Sequence, residues 1–311
     1  MNDIPDDVID EIYLPFTPDV LSQHFAEVAG NADPARHLTY YLTSKVNRAS
    51  FLAGEVAGTT SKDLRVVRRG QQIEKDERFW VVAALMRMFH DTPDRTVAFA
   101  EVLRRCQGLQ LPIGGFGTWE EALGGELHLY FEANLPSPAV YREYLRDNLI
   151  NRTLPIPNLR RAGAARGARL EGATKVDALL IAPETGFSVL FEAKVLADMS
   201  CGIEFDVLRN QMIRNIDVML DTNAALRHPL NLRDPERTCF VLLTPNVFRA
   251  NREGRLYGWL FDAYKDRPEL LRKHLPYRDE ILLSTVPSRL GWLTWEDLNE
   301  VKSDACPWLD E

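Results

Sequence analysis

The stretch that decides the fold reads Lys175-Val-Asp-Ala-Leu-Leu-Ile-Ala-Pro-Glu-Thr-Gly-Phe-Ser-Val-Leu-Phe-Glu-Ala-Lys-Val195. Two apolar, strand-like runs are separated by Pro183, Glu184, Thr185 and Gly186, residues that favour a tight turn. A turn there closes a hairpin in which Asp177 lies opposite Glu192. Directly opposed strand residues have Cβ atoms roughly 4.5–5.5 Å apart, and like charges at that spacing repel. Side chains alternate faces along a strand, so Lys194 projects from the same face as Glu192. The flanking Leu179, Leu180, Ile181, Val189, Leu190 and Phe191 are apolar on both faces, as in strands covered on both sides. Buried ions need partners or a metal. Two acids and an ammonium on one sheet face suit phosphodiester cleavage.

An acid-x-Lys triplet alone is common. Glu300-Val301-Lys302 also fits, but it lies in a polar, helix-like stretch with no hairpin before it. The bland alternative is a hairpin carrying a cross-strand charge cluster, with Lys175 opposite Lys194 and paired diagonally with Glu192.

With Asp177, Glu192 and Lys194 in this order, the chain resembles the PD-(D/E)xK phosphodiesterase superfamily, the group with the restriction-endonuclease-like fold. The resemblance spans residues 139–298 and rests on the short motif and the order of elements. Val176 stands where the motif often has proline. The resemblance implies an α/β domain with a central mixed sheet flanked by helices. It also implies Mg2+, with Mn2+ able to substitute, held by Asp177, Glu192 and the Ala193 carbonyl. Lys194 then positions or deprotonates a water, or hydrogen-bonds the developing charge on the phosphate. Many members add an acid from the helix before the hairpin, for which Glu143 is the candidate and Glu171 the runner-up. Several carry a glutamine on the helix after the lysine. Gln211 matches it, on a face shared with Val207, Arg214, Asn215 and Val218. A surface role for either side chain is the competing reading.

Bulk composition fits an ordinary globular chain of 311 residues, 45% hydrophobic and 26% charged. The net charge of −8 would argue against nucleic acid, but its location reverses that inference. Residues 1–33 hold eight acids and no Lys or Arg, which leaves 37 residues of each sign in the remainder. A neutral body permits local basic patches. Residues 152–175 hold Arg152, Arg160, Arg161, Arg166, Arg169 and Lys175 against Glu171 alone. An arginine-rich loop beside a metal site suits phosphate-backbone contact, as do Arg209 and Arg214. The competing reading is a solvated loop.

The four cysteines (Cys106, Cys201, Cys239 and Cys306) are scattered, so reduced thiols are expected and structural zinc is not. The acidic N-terminus is no signal peptide, and the apolar run at residues 79–86 is too short to span a bilayer. A cytoplasmic protein is expected. No P-loop, GxGxxG or HExxH signature is present.

Residues 1–135 read as a mainly helical N-terminal region, with helices over 36–55, 77–90 and 95–105. Residues 136–311 read as the nuclease-like domain. Apolar periodicity there predicts helices over 139–150 and 204–221. A buried-type strand is expected at 238–244 and further strands at 281–285 and 290–293, and a capping box at Thr294–Asp297 opens a last helix. The expected function is a Mg2+-dependent DNA endonuclease of restriction, defence or repair. The alternatives are a catalytically dead nucleic-acid-binding or scaffold module and a metal-dependent ribonuclease. The N-terminal helices read DNA, meet a partner or form a homodimer; no recognition motif decides among these.

Overall fold

The hairpin forms where the sequence puts it, and the sheet grows from it on both sides. The computed structural model describes residues 13–25, 34–54, 60, 62, 64, 73–148, 172–200, 209–222 and 225–309. Ahead of the hairpin come α1 (Pro18–His24), α2 (Pro34–Leu52), α3 (Glu77–His90), α4 (Arg95–Arg105), α5 (Trp119–Ala122), β1 (His128–Leu135) and α6 (Ala139–Asn148). The hairpin strands are β2 (Thr174–Ala182) and β3 (Phe187–Ala193). Beyond it run α7 (Gln211–Met219), β4 (Thr238–Thr244), α8 (Asn246–Ala250) and α9 (Leu256–Asp266). Then come α10 (Pro268–His274), α11 (Glu280–Ser284), β5 (Leu290–Thr294) and α12 (Trp295–Val301). Gly186, at φ 71°, takes the left-handed position that lets the β2–β3 turn close without a Cβ clash.

The strands form one mixed sheet in the order β1-β2-β3-β4-β5. β1, β2 and β3 are antiparallel neighbours, while β4 and β5 run parallel to β3. Parallel pairs need crossover connections, and helices supply them. Every residue of β3, β4 and β5 is buried, which explains why these strands read as continuous apolar runs. One face packs Phe187, Val189 and Phe191 with Phe79, Leu85, Phe99 and Trp295. The opposite face packs Leu190, Phe240 and Trp292 with Ile213, Ile216, Phe261 and Tyr264. The result is an α/β architecture, a five-strand mixed sheet between two helical layers.

Helices α3 and α4 begin where expected, each capped by an aspartate: Asp76 accepts from the Arg78 N–H and Asp94 from the Val97 N–H. The Thr294–Asp297 capping box is present at the start of α12. Three expectations need correction. Residues 281–285 are not a strand. Asp279 accepts from the Ile281 and Leu282 N–H groups and starts α11, which buries Leu283 and leaves Ile281 79% exposed. The described part of the helix expected over 204–221 starts at Gln211, because the Asn210 side chain accepts from Ile213 N–H and caps it; residues 201–208 lie outside the described residues. The sheet also gains a strand, β1, inside the region read as helical. The boundary expected near 136 therefore falls after the first strand of the sheet. Cys106, Cys239 and Cys306 are buried thiols. Among the described residues no helix is long and apolar enough to cross a membrane.

Candidate active site

The β2–β3 ladder runs from Ala182↔Phe187 to Ala178↔Phe191, the register the sequence implies. It stops one step short of Asp177 and Glu192. From there β2 stays with β1 as far as Thr174↔Leu135, and β3 stays with β4 as far as Ala193↔Leu243. The sheet forks, and the two acids stand at the fork. Asp177 spans the gap: its Oδ2 accepts the Ala193 N–H at 2.8 Å. The N–H and C=O of one strand residue point to the same neighbour, so the Ala193 carbonyl is also directed at the fork.

Glu192 is wholly buried. Its Oε1 accepts from Lys194 Nζ at 2.6 Å and its Oε2 from Asn215 Nδ2 at 2.9 Å. On the other side of the amine, Glu77 Oε1 lies 3.8 Å from Lys194 Nζ. Glu77 is the first residue of α3, where the Asp76 cap fixes the helix start and a negative charge suits the helix dipole.

Burial, and then the charge of Glu192, push the Asp177 carboxyl up to about 7. Burial works against the Lys194 ammonium, but Glu192 and Asp177 outweigh it and hold its pKa above the ordinary lysine range. Burial also raises Glu77, with Lys194 pulling the other way. Among the described residues, no three or more His, Cys, Asp or Glu side chains are placed to hold a metal. Mg2+ does not require three: it is held by one or two carboxylates, keeps several waters and takes substrate oxygens. Asp177 and the Ala193 carbonyl bring hard oxygen donors to the fork, while both oxygens of Glu192 accept hydrogen bonds, from Lys194 and Asn215.

A second acid borders the fork. The β1–β2 ladder pairs Phe131 with Ala178 and Ala133 with Val176 but omits the intervening pair, Glu132 and Asp177. Glu132 is buried at φ 56°, the one non-glycine among the described residues with positive φ. Both strands change faces at this step: Phe131 and Ala178 join one core, Ala133 and Val176 the other. Lys175 does not pair with Glu192 as the bland alternative supposed; it lies against Glu132, whose Oε2 is also 3.4 Å from His37 Nδ1.

The remaining candidates divide. Gln211 is partly buried in the first turn of α7, but the residue of that helix that reaches the site is Asn215, one turn further along the same face. Glu143 is exposed on α6, whose Tyr141 and Leu145 pack with Tyr277. The helix-borne acid beside Lys194 is Glu77 instead. A helix N-terminal Asp-Glu pair before an apolar run was the available signal. Arg160, Arg161, Arg166 and Arg169, with Glu171, lie outside the described residues. Arg214 donates to the Ala173 carbonyl at 3.1 Å.

Arg209 is no phosphate ligand. It is 1% exposed, donates to Asp217 at 3.0 Å and to the Tyr277 hydroxyl at 2.6 Å, and lies 3.7 Å over the Tyr141 ring. Removing one member of a buried ion pair typically costs about 3–5 kcal/mol. Arg278 Nε also donates to Asp217, at 2.8 Å, so Arg209→Ala is expected to lower stability by less than that, about 1–3 kcal/mol, in denaturant unfolding. An unchanged midpoint would contradict the buried pairing.

No family model, no curated protein and no solved structure matches the chain.

Proposed function

We propose that the chain is a divalent-metal-dependent nuclease of the PD-(D/E)xK type, with DNA as its first expected substrate. The observation that carries this reading is the forked sheet, with Asp177 and the Ala193 backbone in the gap and Glu192 and Lys194 at its edge. A helix–hairpin–helix–strand order and a parallel strand beside the hairpin agree with the restriction-endonuclease-like core. Asp177, Glu192 and the Ala193 carbonyl would hold Mg2+ or Mn2+. Such an ion, when bound, supplies positive charge for the attacking water and the phosphate. Asp177 must give up its proton to serve as a ligand. Lys194 is an ammonium while flanked by Glu192 and Asp177, which favours its acting as a hydrogen-bond donor to phosphate oxygen over acting as a base. Asn215 orients Glu192. Glu77 faces Lys194 from the far side and limits where its amine can swing.

Purified protein is expected to cleave plasmid DNA with Mg2+ or Mn2+ and not with EDTA. Asp177→Ala should lower that rate by roughly 10²–10⁴-fold, the scale of a group that acts in the transition state. Undiminished cleavage by Asp177→Ala would sink the assignment. Cleavage of RNA but not DNA in the same assay would select the ribonuclease alternative. Metal binding without cleavage of either would select the binding module.

A further inference from the structure

Three acids stand in a row across the sheet. Asp177 on β2 lies between Glu192 on β3 and Glu132 on β1, at the steps where the two ladders lapse. Both outer acids are buried, and each holds a lysine: Glu192 accepts from Lys194 Nζ at 2.6 Å, and Glu132 Oε2 is ion-paired with Lys175 Nζ. The central acid holds neither. Among the described residues Asp177 has no ion pair, and the hydrogen bond its carboxylate makes is from the Ala193 N–H. When all five groups are ionised, two ammonium groups face three carboxylates. The one left over is Asp177, which is only partly buried.

On the β1 side this is not the pairing that chain connectivity favours. Lys175 is two residues from Asp177 along β2, a separation of about 6.6 Å at the rise of a strand, which its flexible four-carbon stem can span. It turns to the neighbouring strand instead. Glu132 is held there at φ 56°, a left-handed conformation that suits glycine and strains a larger residue. Beyond the Lys175 contact and His37 Nδ1 at 3.4 Å, neither of its oxygens has a hydrogen-bond partner among the described residues. The charge of Lys175 is therefore what compensates the buried carboxylate. Strain of this kind gathers at functional sites, and here its effect is to draw the nearest lysine away from Asp177.

We infer that Glu132 is a positioning residue of the site: it holds the Lys175 ammonium off Asp177, so that the central carboxylate stays open to a divalent cation. The inference rests on the metal-dependent reading for the cation, and on the ion pair and the strand register for the lysine. Without Glu132, Lys175 swings to Asp177 and competes with the metal for it. Glu132 acts through Lys175 and is not itself a ligand.

Two measurements on the full chain at pH 8 test this. The first is made in EDTA. A double-mutant cycle of Lys175→Met and Asp177→Asn in urea reads the coupling between the two side chains. As a ratio of unfolding constants, that coupling should rise about tenfold when the cycle is repeated in Glu132→Gln, the scale of one new charge-assisted contact. An unchanged coupling overturns the inference. The second measurement reads Mn2+ binding from the rise in melting temperature. Glu132→Gln should weaken the apparent affinity about tenfold, and adding Lys175→Met should restore it. A merely structural Glu132, or one that ligates the ion itself, gives no such rescue, because the second substitution only removes another native side chain. A Glu132→Gln protein that binds Mn2+ as wild type does, or a loss that Lys175→Met fails to restore, overturns the inference. Should Glu132→Gln not fold, Glu132→Gly, which suits φ 56°, takes its place in both measurements. The two readings fail separately. A coupling that rises in a protein that binds no Mn2+ keeps Glu132 as the holder of Lys175 and rejects the metal site, whereas Mn2+ binding indifferent to Glu132 does the reverse.

Discussion

Asp177→Asn is expected to be more stable than the wild type at pH 8 and to have lost metal-dependent cleavage. The reason is the position of Asp177 at the fork, where burial and the neighbouring Glu192 push its carboxyl up to about 7. In the unfolded chain the same carboxyl titrates at about 3.9. Between those two values the folded protein holds a proton that the unfolded chain has released, so stability falls as pH rises from about 4 to about 7 and is level above that. Asparagine removes this charge but can still accept the Ala193 N–H through its side-chain oxygen. At about 1.4 kcal/mol per pH unit, and with the repulsion shared between two acids, the gain at pH 8 is on the order of 2 kcal/mol. At pH 4 it should vanish. Melting curves of both proteins at the two pH values check this, and an Asp177→Asn protein less stable at pH 8 would contradict it. A functional group that costs stability is the usual mark of an active site. A merely structural carboxylate would show the opposite sign.

The hairpin and its register were legible because three independent signals agreed: two apolar runs, a turn composition and charges at matching positions. The fork was not legible. Periodicity carries the ladder one pair too far, and nothing in Val176 or Ala193 announces that β2 turns toward β1. Strand β1 escaped for a related reason. His-Leu-Tyr-Phe-Glu-Ala-Asn-Leu lacks β-branched residues and contains Leu, Ala and Glu, good helix formers, so its strand character comes from the sheet beside it. Residues 281–285 erred the other way. Ile-Leu-Leu-Ser-Thr reads as a short strand, but Asp279 captures two amide groups and winds it into a helix. Of the site, the two acids and the lysine could be read from spacing. Glu77 carried only a local signal, the Asp-Glu pair that opens a helix; 100 residues of chain separate it from Asp177, and only tertiary packing joins them. Asn215 was seen as a neighbour of Gln211 on one helix face. Choosing between two amides one turn apart requires knowing how far α7 slides along the sheet.

Lys194→Met is expected to destabilise the metal-free protein by about 3–5 kcal/mol, the cost of stranding a buried carboxylate. Glu192 has no exposure, and of its two hydrogen bonds the one from Lys194 carries the compensating charge. Adding Glu192→Gln should recover most of that loss, since an amide in the same place needs no counter-charge. A double-mutant cycle in urea measures the coupling. The metal reading adds a stronger expectation. If Glu192 and Asp177 share a divalent ion, that ion replaces the missing ammonium, so at pH 8 Mn2+ should raise the melting temperature of Lys194→Met by more than it raises that of the wild type. The Lys194→Met, Glu192→Gln double variant, which lacks one of the two acids, should respond least of the three. A cation that stabilises all three proteins equally binds somewhere else, and the fork would then be a buried charge cluster in a structural sheet. This measurement needs no substrate and no turnover. It also guards against a false positive in the cleavage assay, where a lysine variant that has simply unfolded loses activity for reasons unrelated to chemistry.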